Sequence, residues 1–166
     1  MSTSVTVHRM VTTSTTSAVL INIGHVKTVP GILKILEIIL GCIICGLIGH
    51  YITSSNYRTP EQLKSQLPIL ITASACLITT TLLFFACLFS ISTAAIIPKT
   101  LFETLYHVIV SILYFAVSVY FLVYLMDNRR YVPFYNPKIA AAAIGLVNTA
   151  LYVLSTFYSI RSFRRG

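Results

Sequence analysis

Four long apolar runs constrain this chain more than any other feature. The first opens at Pro30 and Gly31, a pair that stops preceding structure and marks a helix start, and it continues to about residue 52. About twenty residues at a helical rise of about 1.5 Å cross the hydrocarbon core of a bilayer. Three runs of similar length follow, at about 68–97, 101–126 and 139–160. The sequence therefore predicts an all-α integral membrane bundle of four transmembrane helices.

Composition supports a membrane protein and argues against a nucleic-acid-binding one. The chain is 56% hydrophobic and only 10% charged, which is outside the range of ordinary soluble domains. A net charge of +8 would suggest a nucleic-acid partner in a soluble protein. Here the basic residues stand in small groups at the ends of apolar runs, where anionic lipid head groups lie. We expect membrane lipids as partners, no nucleic acid and no cofactor.

The entry into the first run also carries a family resemblance. Residues 27–34 read KTVPGILK, an acidic residue follows in the second turn of the run, and three more runs come after it. This pattern resembles the MARVEL domain family over residues 27–160, and the short chain with its Ser/Thr-rich tail is similar to small insect-type members. The resemblance implies a four-helix membrane protein of vesicle trafficking, membrane apposition or fusion, or cell junctions, with cytoplasmic termini.

Domain boundaries and orientation follow from the runs and the basic residues. We predict a mobile Ser/Thr-rich cytoplasmic tail at 1–26, the four-span domain at 27–160 and a short basic cytoplasmic tail at 161–166. An even number of crossings puts both termini on one side of a plasma or vesicle membrane. That side holds seven basic residues against five opposite, so the positive-inside rule places it in the cytoplasm. The seven are Arg9, Lys27, Lys34, Lys99, Arg161, Arg164 and Arg165, and the five are Arg58, Lys64, Arg129, Arg130 and Lys138.

Ionisable residues inside the runs are the first candidates for chemistry, because charges within a span are costly. Lys34 and Glu37 are three residues apart, and Glu103 and His107 are four apart, so each pair shares a helix face. One interpretation is a proton relay or cation site. The other, which we favour, is structural: Lys34 reaches lipid phosphates, and the carboxylates lie near the head groups and bond to a hydroxyl or lysine. Nothing charged continues the path across the core.

Small residues one turn apart predict where helices pack. Gly41, Cys45 and Gly49 share one face of the first run, and Ala141 and Gly145 share one face of the fourth. Cys42 and Cys45 have the spacing of redox and metal sites, but they lie mid-span, and neither a loop cysteine nor a second ligand pair accompanies them. We therefore predict no catalytic, cofactor-binding or metal-binding residue. Lipid head-group contacts are expected from three residues at the end of the chain, Arg161, Arg164 and Arg165.

The function predicted from this pattern, largely through the resemblance, is non-enzymatic membrane organisation. The protein would associate laterally with lipids and other membrane proteins, and homo-oligomers are compatible with this mode. The alternative is a small transporter or channel subunit that uses Glu37, Glu103 and His107. A membrane thiol oxidoreductase would need a loop cysteine, which the predicted loops lack.

Overall fold

The computed structural model describes residues 23–54 and 60–164. Most of the predicted mobile tail, residues 1–22, lies outside the described residues, as do Arg165 and Gly166. The described elements are α1 (Ile23–Val26), α2 (Val29–Ser54), α3 (Pro60–Phe89), α4 (Ile91–Ile96), a 3₁₀ turn (Ile97–Lys99), α5 (Leu101–Asp127) and α6 (Tyr135–Phe163). Four of them, α2, α3, α5 and α6, are long and apolar enough to cross a membrane. The predicted all-α, four-span architecture is confirmed.

The four long helices form a ring of neighbours. Helix α2 packs against α3 and α6, and α5 packs against the same two helices from the other side. Because the connections are short, chain neighbours run antiparallel, and α2 lies diagonally across the bundle from α5. We call the end that holds the starts of α2 and α5 and the finish of α6 the terminal end. The opposite end, which holds the finish of α2, the start of α3 and residues 128–134, is the loop end.

Two helices begin earlier than the sequence predicts. Helix α3 begins at Pro60, with Glu61 in its first turn, and Pro68 lies inside it. We expected a hydrophilic loop up to residue 66, but proline suits the first helical position and an acidic residue is favourable in the first turn. Helix α6 begins at Tyr135 rather than 139, directly after Phe134, whose backbone is left-handed with a φ of 57°.

Helix α3 ends at Phe89, and the next residue, Ser90, caps the start of α4. The amide of Thr93 donates to the hydroxyl oxygen of Ser90 at 3.2 Å, and Ser90 itself is extended, so the chain restarts as α4. The 3₁₀ turn then leads into α5. This agrees with the short connection around Pro98 that we expected between the second and third spans.

Apolar side chains fill much of the interior of the bundle, and they also cover its outer surface. Toward the loop end the core consists of fully buried side chains such as Ile48, Ile69, Phe121 and Leu125. The outer faces of the helices expose large apolar side chains, as expected where lipid tails replace water as the solvent. The core is thus mainly apolar toward the loop end, where Ser65, Gln66 and Lys138 are the buried polar exceptions. Most of the other buried polar side chains lie toward the terminal end.

Candidate functional site

A buried ion pair joins the two diagonal helices near the terminal end. Lys34 Nζ on α2 donates to Glu103 Oε1 on α5, and His107 Nε2 lies 3.5 Å from the same oxygen. Lys34 and His107 are 1% exposed and Glu103 is 3% exposed. The expected proximity of Glu103 and His107 is present, but Lys34 pairs with Glu103 and not with Glu37. We had expected Lys34 to reach lipid phosphates, and the structure instead turns it toward the bundle axis.

Glu37 is held by a different helix. The hydroxyl of Ser155 on α6 donates to Glu37 Oε1 at 2.5 Å, and the residue is buried. A hydroxyl partner was one of our expectations for this carboxylate, although at the head-group level rather than inside the bundle. The hydrogen bond from Ser155 offsets part of the cost of removing this carboxylate from water.

A hydroxyl network lies next to these charges. Thr80 Oγ1 on α3 is 2.8 Å from the hydroxyl of Tyr106 and 2.8 Å from that of Tyr152. Tyr106 also donates to the carbonyl of Cys76 at 3.1 Å. Thr80 thus links three helices, a role that sequence spacing along one helix cannot reveal.

The polar groups continue toward the middle of the bundle. The ring of Tyr114 stacks on that of Tyr152 with centroids 5.5 Å apart, and Asn148 and Ser118 are fully buried. We name the whole set the polar column: Lys34, Glu37, Thr80, Glu103, Tyr106, His107, Tyr114, Ser118, Asn148, Tyr152 and Ser155. Sequence analysis found four of these residues and missed the rest, because isolated hydroxyls and amides in apolar runs carry no charge signal.

A small cavity adjoins the charged part of the column. It measures about 40 Å³ and is lined in part by Lys34, Glu103, His107, Ser155 and Ser159. A buried water needs about 10–15 Å³ and two to four polar partners, so the cavity can hold water. Among the described residues, one carboxylate oxygen of Glu37, one of Glu103 and Nδ1 of His107 have no protein hydrogen-bond partner. The cavity therefore has room and polar side chains for a water molecule beside Glu103 and His107.

The predicted packing residues fall into two groups. A Cβ added at Gly41 would touch Leu77 at 3.5 Å, and one at Gly145 would lie 3.3 Å from Ser118 Cβ and even closer to its hydroxyl. Both glycines thus lie at close helix contacts. Gly49 differs, since no atom lies within 4 Å of an added Cβ. The two other predicted residues also sit against neighbours, since Ala141 is fully buried and the Cys45 sulfur is 3.5 Å from the Ser74 hydroxyl.

The chemistry that these groups support is limited. Within residues 23–54 and 60–164, no group of three or more His, Cys, Asp or Glu side chains could hold a metal ion. All four cysteines are free thiols. The predicted head-group residues Arg161 and Arg164 are exposed at the terminal end of α6. The site as a whole is an interhelical set of charges and hydroxyls.

Taken together, these helices define a multi-pass membrane protein whose structural unit is an antiparallel four-helix bundle with a polar interior at one end. The family model of the MARVEL membrane-associating domain matches residues 25–158 of the chain. This is most of the sequence, so the protein belongs to the MARVEL family, as the resemblance implied. No curated protein and no solved structure matches the chain.

Proposed function

We propose that this protein organises membranes, without enzymatic activity, at sites of vesicle trafficking, of membrane apposition or fusion, or of cell-junction assembly. Its membership of the membrane-associating family supports the general role. The observation that carries the proposal is the distribution of surface: the bundle closes on itself, while α2, α3, α5 and α6 all expose large apolar side chains outward. Interactions would therefore form laterally, with lipids and with other membrane proteins, including further copies of this chain.

Each lipid-facing helix offers a contact position for lateral partners. A representative position on each is Ile39, Leu82, Ile112 or Val147. The connection between α5 and α6 spans only residues 128–134, so it is too short to form a separate binding domain. Recognition would thus depend on side chains within the bilayer.

Photo-crosslinking from these four positions in native membranes tests the proposal. A photoreactive residue at Ile112, which is 64% exposed, should capture neighbouring membrane proteins, with trafficking or junction proteins enriched. Val110 is the matched control, because it lies on the same helix at nearly the same depth and is only 4% exposed. From Val110 only crosslinks within the chain are expected. If all four outward positions capture lipid alone, or neighbours of unrelated processes, the proposal is refuted.

The proposed orientation places the terminal end in the cytoplasm. The described exposed cations there are Lys27, Lys99, Arg161 and Arg164, whereas the exposed acids Glu61 and Asp127 lie toward the loop end. Lys34 on the terminal side and Lys138 on the loop side are both buried. If buried lysines are left out of the count of basic residues, each side therefore loses one. The excess of basic residues on the terminal side therefore stays the same, and it continues to favour cytoplasmic termini.

Cysteine labelling tests this orientation. Tyr131 is 80% exposed at the loop end, so at the cell surface Tyr131→Cys should react with an impermeant maleimide. Arg164→Cys, at the other end, should react only after permeabilisation. The parent chain, with its four native cysteines, gives the background labelling. The opposite pattern would place the termini outside the cytoplasm.

The transporter or channel alternative has weaker support. In its favour, Glu37, Glu103 and His107 face the bundle axis. However, the polar column stops near Ser118. Apolar core residues such as Ile69, Phe121 and Leu125 follow it, and the buried polar side chains near the loop end, Ser65, Gln66 and Lys138, are not part of the column. A continuous hydrated path across one bundle is therefore lacking among the described residues, and we do not propose transport.

A further inference from the structure

We propose that the terminal end contains a binding site for the phosphate group of an anionic lipid. The site is a cleft between the start of α2, the 3₁₀ turn before α5 and the last turns of α6, and it measures about 470 Å³. Its lining residues are Pro30, Lys99, Tyr158, Arg161 and Ser162. The inference rests on the proposed function only in that it places this cleft at a lipid leaflet.

The two cations that line the cleft come from two different elements. Lys99 ends the 3₁₀ turn and Arg161 lies in the last turn of α6, and these two elements pack against each other. Both side chains are exposed. Two cations that line one cleft from separate elements can both form charge-assisted hydrogen bonds to a phosphate bound there.

Among the described residues, no side-chain carboxylate forms an ion pair with these cations. All four acidic residues of the chain lie within the described ranges: Glu37 and Glu103 belong to the polar column, and Glu61 and Asp127 lie toward the loop end. The ion pairs found in the described part of the chain involve Glu103 with Lys34 and His107. The charge at Lys99 and Arg161 is therefore available to an external anion.

Neutral donors complete the phosphate site. Tyr158 and Ser162 bring hydroxyl groups to the same cleft. Next to Lys99, the start of α5 has no side-chain cap, because the hydroxyl of Thr100 donates to the carbonyl of Ile97 at 2.7 Å instead. A helix start carries a partial positive charge that favours an anion nearby, and the acidic residue in the first turn of α5, Glu103, is already paired with Lys34.

A neighbouring groove favours a lipid over free phosphate. This groove, of about 320 Å³, is lined by Phe157, Ile160, Arg161 and Arg164. Arg161 therefore borders both spaces, and Phe157 and Ile160 offer apolar surface to an acyl chain. A ligand that combines a phosphate with a hydrocarbon chain matches both spaces together, whereas inorganic phosphate would use only the cleft.

Lipid binding to the purified full-length chain in neutral detergent tests this proposal. The probes are short-chain phosphatidic acid, phosphatidylcholine of the same chain length, and inorganic phosphate. The wild-type protein should prefer phosphatidic acid to phosphatidylcholine, and millimolar inorganic phosphate should not displace it. Since a basic residue near an anionic membrane surface contributes on the order of 1 kcal/mol, Lys99→Gln and Arg161→Gln should each weaken binding about fivefold, and the double variant about thirtyfold.

The matched control is the double variant Arg129→Gln/Arg130→Gln, which removes the same charge from exposed positions toward the loop end. Its affinity for phosphatidic acid should equal that of the wild type, and far-UV circular dichroism should be the same for all variants. An unchanged affinity in Lys99→Gln/Arg161→Gln, an equal loss in the control, or full displacement by inorganic phosphate would each overturn the proposal. Because no partner protein is present, this result can fail while the crosslinking result stands, and the reverse also holds.

Discussion

Replacement of Lys34 by methionine is expected to lower the free energy of unfolding by about 3–5 kcal/mol, the usual cost of removing one partner from a buried ion pair. Lys34 and Glu103 bond directly in the interior and are almost fully buried. Methionine has a similar length and flexibility, so the change removes the charge more than the packing. The Glu103 carboxylate would then remain buried, with His107 as its remaining ion-pair partner among the described residues. Equilibrium unfolding in mixed detergent micelles measures the loss.

Two further variants separate the charge effect from other causes. Lys34→Met/Glu103→Gln leaves neither charge inside and should recover much of the lost stability, since neutralising both partners avoids an unpaired buried ion. Lys64→Met removes an exposed lysine early in α3 and should change stability by no more than about 0.5 kcal/mol. If Lys34→Met unfolds at the same detergent composition as Lys64→Met, the ion pair does not stabilise the bundle.

The second large effect is expected from Gly145→Val. A Cβ at this position would lie 3.3 Å from Ser118 Cβ and would collide with the Ser118 hydroxyl. The two methyl groups of valine add to this collision, so α5 and α6, which pack closely along their length, would have to separate. Overpacking of this kind costs about 1–3 kcal/mol and sometimes more. Thermal unfolding followed by size-exclusion chromatography should show a clearly lower midpoint and a smaller monodisperse fraction.

Gly49→Val provides the matched control, because both glycines lie inside long helices and belong to the predicted packing sets. No atom lies within 4 Å of a Cβ added at Gly49, and valine has a better helix propensity than glycine. The Gly49→Val midpoint should therefore equal or slightly exceed that of the wild type. Equal losses in the two valine variants would show that helix backbone effects, and not the contact with Ser118, govern stability.

The sequence predicted the fold well because lipid imposes a simple requirement. A span must be long, apolar and helical, and the runs show this directly. The main boundary error was at the start of α3, where residues 60–67 are polar yet helical. Hydropathy predicts which residues contact lipid and not which residues are helical. The polar first turns of a helix that extends beyond its apolar run are therefore predicted as a loop.

The candidate site was only partly predictable. The proximity of Glu103 and His107 follows from spacing on one helix. The bond between Lys34 and Glu103 joins positions 69 residues apart, and that between Glu37 and Ser155 joins positions 118 apart. Such contacts depend on how each helix is rotated about its axis and on which helices are neighbours. Spacing alone is compatible with a Lys34–Glu37 pair on α2. In the structure, Lys34 bonds to Glu103 on α5 and Glu37 bonds to Ser155 on α6 instead.

The buried link between Lys34 and Glu103 has a consequence for how the chain finds one structure. In the hydrocarbon core of a membrane, an apolar side chain gains little by facing another helix instead of lipid. Hydrophobicity alone therefore does not determine which face of a helix packs against its neighbours. A lysine and a glutamate on diagonal helices can pair only when both helices turn these side chains toward the bundle interior. Other rotations would leave an unpaired charge in the hydrocarbon. The ion pair thus constrains the rotation of α2 and α5 without any requirement on the side chains that face lipid.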